Sequence, residues 1–327
     1  MQIGPYKLDT NLILAPMAGV TDRPFRQICR SFGAGMAVSE MISANPALRK
    51  NRRTLLKADH NGEQEPRIVQ IVGADPLQMA DAARYNADQG AQIIDINMGC
   101  PAKKVCNAAA GSALLRDEKL VARILGTVVE AVHLPVTLKI RTGWDKGNRN
   151  AAKIARIAED SGICALTIHG RTRACGFSGQ AEFETIRNVK QKIRIPVIAN
   201  GDIDTPKKAQ LVLQITGADA IMIGRGAQGQ PWIFQQIQRF ISNNQSLESP
   251  SREQLRRIVT DHLEELYGFY GDVHGVRIAR KHIGWYLKKN LVVSAEAMRR
   301  INSAEQPLEQ MALVDLVFDQ TENGLAA

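Results

Sequence analysis

The 327-residue chain is short of cysteine, and the few thiols it has are badly placed for cross-linking. Cys29, Cys100, Cys106, Cys164 and Cys175 are odd in number, scattered, and form no C-x-x-C pair. That argues against a disulfide framework and against a zinc or iron–sulfur site, and it fits a reducing, cytoplasmic setting. Long apolar runs are missing as well: none approaches the ~20 residues of a membrane span. The opening Met1-Gln2-Ile3-Gly4-Pro5 lacks the charged-then-apolar pattern of a secretory signal, so a soluble protein without a membrane role is expected. No G-x-G-x-x-G follows the first strand pattern, which counts against a dinucleotide-binding doubly wound sheet. Acid, finally, is absent from two stretches, 49–57 and 273–295, each of which carries five cations.

Those stretches sit in a chain of net charge +9, and together they point to a polyanionic partner such as nucleic acid. With 44% hydrophobic residues the chain can bury a large core. Apolar, β-branched strand cores recur about every thirty residues, at 12–16, 36–39, 67–72, 92–96, 136–140, 165–168, 197–199 and 220–223, with helical patterns between them. Near-continuous apolar strands alternating with helices mean a parallel sheet covered on both faces. Eight such repeats predict an α/β fold, a (β/α)8 TIM barrel over residues 1–243; an open doubly wound sheet is the competitor. Residues 244–252 are polar, contain Pro250 and show no periodicity, so they read as a linker. Residues 253–327 read as a small all-α helical domain. Within it Val276, Ala279, Ile283, Tyr286 and Leu287 share one apolar arc of a helix. Arg277, Lys281, Gly284 and Lys288 share another face, where the glycine leaves room for an approaching backbone.

The most informative segment runs Ile93-Ile94-Asp95-Ile96-Asn97-Met98-Gly99-Cys100-Pro101-Ala102-Lys103-Lys104. An apolar strand stops at Gly99 and Pro101, leaving Cys100 at its C-terminal lip, where parallel α/β folds keep their chemistry. Cys100 is then an acid or a nucleophile, or simply a small loop residue. The other strand ends converge on the same mouth: Pro16, Met17 and Ala18; Gln70; Asn97; Lys139 and Arg141; His169, Arg171 and Arg173; Asn200, Gly201 and Asp202; Gly224 and Arg225. Each alone has a plain structural explanation, an ion pair for Lys139 or a satisfied amide for Gln70. So many polar residues closing strands that are otherwise apolar is harder to attribute to stability. Gly201, Gly224 and Gly226 follow strands seven and eight, where barrels bind phosphate on backbone N–H groups, and Arg225 adds charge. Met17, Gln70 and Lys139 suit a planar ring with polar edges, an inventory that flavin mononucleotide (FMN) matches. Lys139 equally suits a Schiff-base aldolase.

Six motifs taken together resemble the tRNA-dihydrouridine synthases, and within that family the bacterial B branch. They are Ala15-Pro16-Met17-Ala18-Gly19-Val20-Thr21-Asp22, Asn97-Met98-Gly99-Cys100-Pro101, Lys139-Ile140-Arg141-Thr142-Gly143, Ile168-His169-Gly170-Arg171-Thr172-Arg173, Ala199-Asn200-Gly201-Asp202-Ile203 and Met222-Ile223-Gly224-Arg225. The resemblance covers nearly the whole chain. It implies a flavoenzyme that reduces the C5=C6 bond of particular D-loop uridines in tRNA to dihydrouridine, with FMN as cofactor and NADPH as reductant. It further implies that Pro16, Met17, Ala18, Gln70 and Lys139 contact the flavin ring. His169, Asn200, Gly201, Asp202, Gly224 and Arg225 would hold its ribityl phosphate, and Cys100 would be the proton donor. The tRNA partner is then expected on Asn97, Arg141, Arg171, Arg173, Arg277, Arg280, Lys281 and Lys288, with the helical domain as its cradle and the protein itself a monomer. Two further rivals remain: a flavin barrel for a small enone or dihydropyrimidine, and an RNA-binding module without catalysis.

Overall fold

A computed structural model describes residues 1–323; the last four positions of the expected helical domain, 324–327, lie outside the described residues. Nine parallel strands form one sheet: Leu12–Leu14, Met36–Ala37, Ile42–Ser43, Ile68–Val72, Ile93–Met98, Val136–Arg141, Ala165–His169, Val197–Asn200 and Ala220–Ile223. Every expected strand core is there, and the second one is split. Met36–Ala37 pairs with Leu12–Leu14 and Ile42–Ser43 with Ile68–Val72, while a parallel bridge between Val38 and Ile68 closes the ring. The result is the eight-stranded barrel rather than an open sheet.

Side-chain alternation explains why this sequence closes into a barrel with a polar mouth. The outward positions stay apolar along each strand, as in Ile94, Ile96 and Met98 or Leu138 and Ile140, and pack against the helices. The inward positions begin apolar: Ile13, Ile68, Ile93, Ala165, Ile198 and Ala220 form a separate interior cluster. Ile3 of the Gln2–Ile3/Tyr6–Lys7 hairpin and Leu8, which follows it, join that cluster and plug the N-terminal end. Two residues further along, the inward positions turn polar, giving Gln70, Asp95, Thr137 and Thr167. Across neighbouring strands the register aligns Gln70 with Asp95 and Thr137, then Asn97 with Lys139 and Thr167, and at the lip Arg141 with His169 and Asn200.

After the Ile233–Asn243 helix, residues 244–250 carry no regular structure, and Ser251 opens the next helix with a capping box closed by Gln254. Helices Arg252–Tyr270, Asp272–Asn290, Ala295–Ser303 and Pro307–Asn323 bundle around their own apolar core. Trp232 of the barrel belongs to that core as well. The bundle docks on the first barrel helix, Arg23–Ser31, where the Phe25 ring packs on His262 and His282. Tyr270 Oη donates to Asp22 Oδ2 at 3.0 Å, Asn290 Nδ2 to the Gly229 carbonyl at 2.9 Å, and Lys281 Nζ to the Gly19 carbonyl. The five residues of the predicted apolar arc are buried. Around Gly284 the nearest atom to a Cβ placed there is a side-chain methyl, Met298 Cε, so no backbone of this chain's described residues fills the gap.

Candidate active site

The inward polar layer floors a cavity of about 1010 Å³ at the C-terminal mouth of the barrel. Lys139 lies on the floor, 8% exposed, and donates to Asn200 Oδ1 at 3.0 Å, while Asn200 Nδ2 is tied to the Met222 carbonyl at 2.8 Å. Among the described residues its ammonium makes no ion pair. Burial, and then the charge of Arg141, pull its pKa from 10.5 down to about 8, against the opposing pull of Asp95. His169 is held neutral: burial first, then Lys139, Arg141, Arg171 and Arg225, lower its pKa to about 2. The Arg171 guanidinium, which can only donate, sits 3.3 Å from His169 Nε2, so the ring proton belongs on Nδ1.

Cys100 is half-buried in the cavity lining, in a turn whose N–H groups at Gly99 and Cys100 both donate to Asn97 Oδ1. Burial raises the thiol pKa; the N–H of Ala102 and the Arg141 charge pull the other way and do not prevail. Lys103 and Lys104 are exposed and do not figure among its causes, so the group waits as a thiol at neutral pH. At the far end Asp202, in left-handed backbone (φ +48°), organises the cations. Its carboxylate accepts from Arg171 Nη2 at 2.6 Å and Ala181 N at 2.8 Å, and pairs with Arg225 at 3.4 Å. Burial opposes its ionisation, but the Arg171 and Ala181 hydrogen bonds and the Arg171 charge hold it below the ordinary carboxylate range. Gly201 (φ +130°) has no room for a side chain, since a Cβ there would come within 2.7 Å of the Ala181 methyl.

A profile of the dihydrouridine synthase (Dus) family matches residues 13–322. The chain belongs to the dihydrouridine synthase family. Among its relatives, the tRNA-dihydrouridine synthase B of Xanthomonas axonopodis pv. citri is 58% identical over 98% of this chain and 96% of the relative. The tRNA-dihydrouridine synthase B of Pseudomonas aeruginosa is 55% identical over 100% and 99%. Among solved structures, a 2-naphthoyl-CoA reductase complex shares the fold with a TM-score of 0.57 at 13% identity, over 73% of this chain and 51% of that one.

For this family member the structure brings Cys100 and all eleven expected cofactor residues, Pro16 to Arg225, to one cavity, together with Asn97, Arg141 and Arg173. The cations expected to meet tRNA divide. Arg141 donates to the carbonyls of Gly99, Thr172 and Gly176, so it ties the thiol's turn to the 172–176 loop rather than facing outward. Arg171 is 3% exposed and committed to Asp202 and to the carbonyls of Ser178 and Gly179. Lys281 is half-buried in the docking contact with Gly19, and Arg280 donates to the Ala304 carbonyl within the bundle. Arg277 and Lys288 are exposed on the helical domain.

Sequence reasoning named neither Phe177 nor Lys289 as a site residue, though both line the cavity. Phe177, 58% exposed, stacks under the guanidinium groups of both Arg141 (5.4 Å) and Arg225 (5.2 Å). An aromatic in the glycine-flanked loop Gly176-Phe177-Ser178-Gly179 was its available signal. Lys289 reaches the cavity from the helical domain, where no local pattern separates it from Lys288.

Proposed function

We infer that the protein is a flavin-dependent reductase of the uracil C5=C6 bond in tRNA, with NADPH as the electron source and Cys100 as the proton donor. The observation that carries this reading is a buried ammonium that makes no ion pair among the described residues, lining the same cavity as a thiol kept protonated. FMN fits the donor set. Lys139 has ammonium hydrogens to spare for an electron-rich ring edge, and Met17 and Pro16 offer an apolar wall. Gly201, Gly224 and Arg225 offer backbone and charge for a phosphate, near a histidine that stays neutral. A bound flavin would supply the two-electron reductant.

The rest is the chain's own chemistry. Reduction at C6 of a uracil ring moves negative charge toward C5 and the conjugated O4, and Cys100 Sγ–H delivers the proton to C5. A thiolate would be useless there, so the raised pKa suits an acid rather than a nucleophile. The base must leave the tRNA stack to reach a cavity this deep, which costs a few kcal/mol that phosphate contacts must offset. Arg277 and Lys288 on the helical domain, and Arg173 at the rim, are the exposed or half-exposed cations placed to make such contacts.

The test is direct. Purified protein should show a flavin spectrum, bleach with NADPH in the absence of oxygen, and recover its colour with tRNA lacking dihydrouridine, with the modified base appearing by mass spectrometry. A colourless protein that yields a borohydride-trapped imine on Lys139 would instead establish an aldolase.

A further inference from the structure

An amide side chain is nearly symmetric in shape, so its partners decide which end is oxygen and which nitrogen. Gln70 and Asn97 both line the cavity floor, and both belong to one unbroken chain of hydrogen bonds rooted beneath them. At the root is Asp95, 4% exposed, one inward position below Asn97 and in register with Gln70 on one side and Thr137 on the other. Its carboxylate accepts from Thr137 Oγ1 at 2.6 Å and from Gln70 Nε2 at 2.6 Å. Burial raises the Asp95 pKa against the hydrogen bonds from Thr137 and Gln70 and the charge of Lys139; with both carboxyl oxygens accepting, Gln70 turns its nitrogen down, and Oε1 is left to accept from Asn97 Nδ2 at 2.8 Å. Asn97 then has only Oδ1 to offer the N–H groups of Gly99 (3.1 Å) and Cys100 (3.0 Å).

We propose that Asp95 is a positioning residue for the reaction. By setting the polarity of the Gln70–Asn97 relay, it fixes the donor–acceptor pattern those amides present to a ligand and the seat of the Cys100 thiol. The inference rests on the reductase reading of the cavity. Reversal is penalised at both ends: a flipped Gln70 sets oxygen against carboxylate oxygen, and a flipped Asn97 sets N–H against two backbone N–H groups. Each buried group so mismatched loses its hydrogen bond with no water to replace it, which leaves one orientation populated.

Two substitutions separate polarity from bulk. Asp95→Asn keeps an acceptor for Gln70 while its new N–H donates to the Thr137 hydroxyl, so the relay survives. Asp95→Leu keeps the branched shape and removes the acceptor. The holoprotein is reduced anaerobically by NADPH and then reoxidised by tRNA, each step followed at the flavin's visible band. Asp95→Asn should stay within about threefold of wild type in both steps, as a retained geometry requires. Asp95→Leu should be reduced normally and reoxidised about 100-fold more slowly, the expected result of displacing a reacting group by on the order of 1 Å. Asp95→Val, smaller and suited to a strand, also removes the acceptor and keeps the test alive if Asp95→Leu unfolds; it should show the same selective slowing of reoxidation. Normal reoxidation in either apolar variant, equal losses in both half-reactions, or Asp95→Asn as slow as the apolar variants would each overturn the relay. A wild-type protein that carries no flavin, or that tRNA does not reoxidise, would defeat the functional reading before any variant is compared.

Discussion

Replacing Lys139 by methionine should make the flavin-free protein more stable while removing its capacity to hold an anionic ring edge. The long side chain and its volume are kept, and the charge is not. In the folded protein the ammonium's pKa falls from 10.5 to about 8. At about 1.4 kcal/mol per pH unit, this is an opposing free energy on the order of 3 kcal/mol. Methionine removes that opposition and also the hydrogen bond to Asn200, which contributes about 1 kcal/mol. The net gain at pH 7 is therefore about 2 kcal/mol in favour of Lys139→Met. The pH dependence follows from the sign of the shift. A lysine whose folded pKa lies below its unfolded value destabilises fully below pH 8, and the effect fades as pH rises from 8 to 10.5. Urea unfolding of both flavin-free proteins at pH 7 and pH 10 measures the difference. The advantage of Lys139→Met should shrink toward zero or reverse at the higher pH. A variant less stable than wild type at pH 7, or an advantage independent of pH, would refute the idea that an unpaired buried charge is being held ready for a ligand.

Cys100→Ala should bind flavin and be reduced by NADPH as before, and lose about 10²–10⁴-fold in the tRNA-dependent step, read by stopped-flow reoxidation. Arg277→Ala with Lys288→Ala should weaken tRNA binding and lower the slope of log affinity against log salt by about one for each phosphate no longer neutralised, without changing NADPH reduction; an unchanged slope would clear these residues of any RNA contact. Tyr270→Phe removes the donor to the buried Asp22 carboxylate, whose pKa burial has already pushed up to about 6. A loss of about 1–3 kcal/mol in urea unfolding is expected, together with faster protease cleavage in the irregular 244–250 segment.

The strand cores were legible because each is a local run of β-branched residues, and the polar residues that close them stood out against it. The split of the second strand was not, because its cause lies elsewhere. Glu40, between the halves, is buried to accept from the Gly19 N–H and to pair with Lys57 at 3.4 Å, contacts made by residues far along the chain. Asp95 read as one polar residue in an isoleucine strand, and only the register of its neighbours, Gln70 and Thr137, reveals the relay it anchors.

Sequence alone thus determined which residues gather at the mouth of the barrel, because period-two alternation and strand order are local properties and closure carries every strand end to one side. The fate of the cations was decided only by tertiary structure. Arg141, Arg171 and Lys281 looked like Arg277 and Lys288 in the chain, yet the first three commit their hydrogens to carbonyls and to Asp202, while the last two are exposed. A long cationic side chain turns to whichever partner folding brings within reach, and no local pattern records which partner that will be.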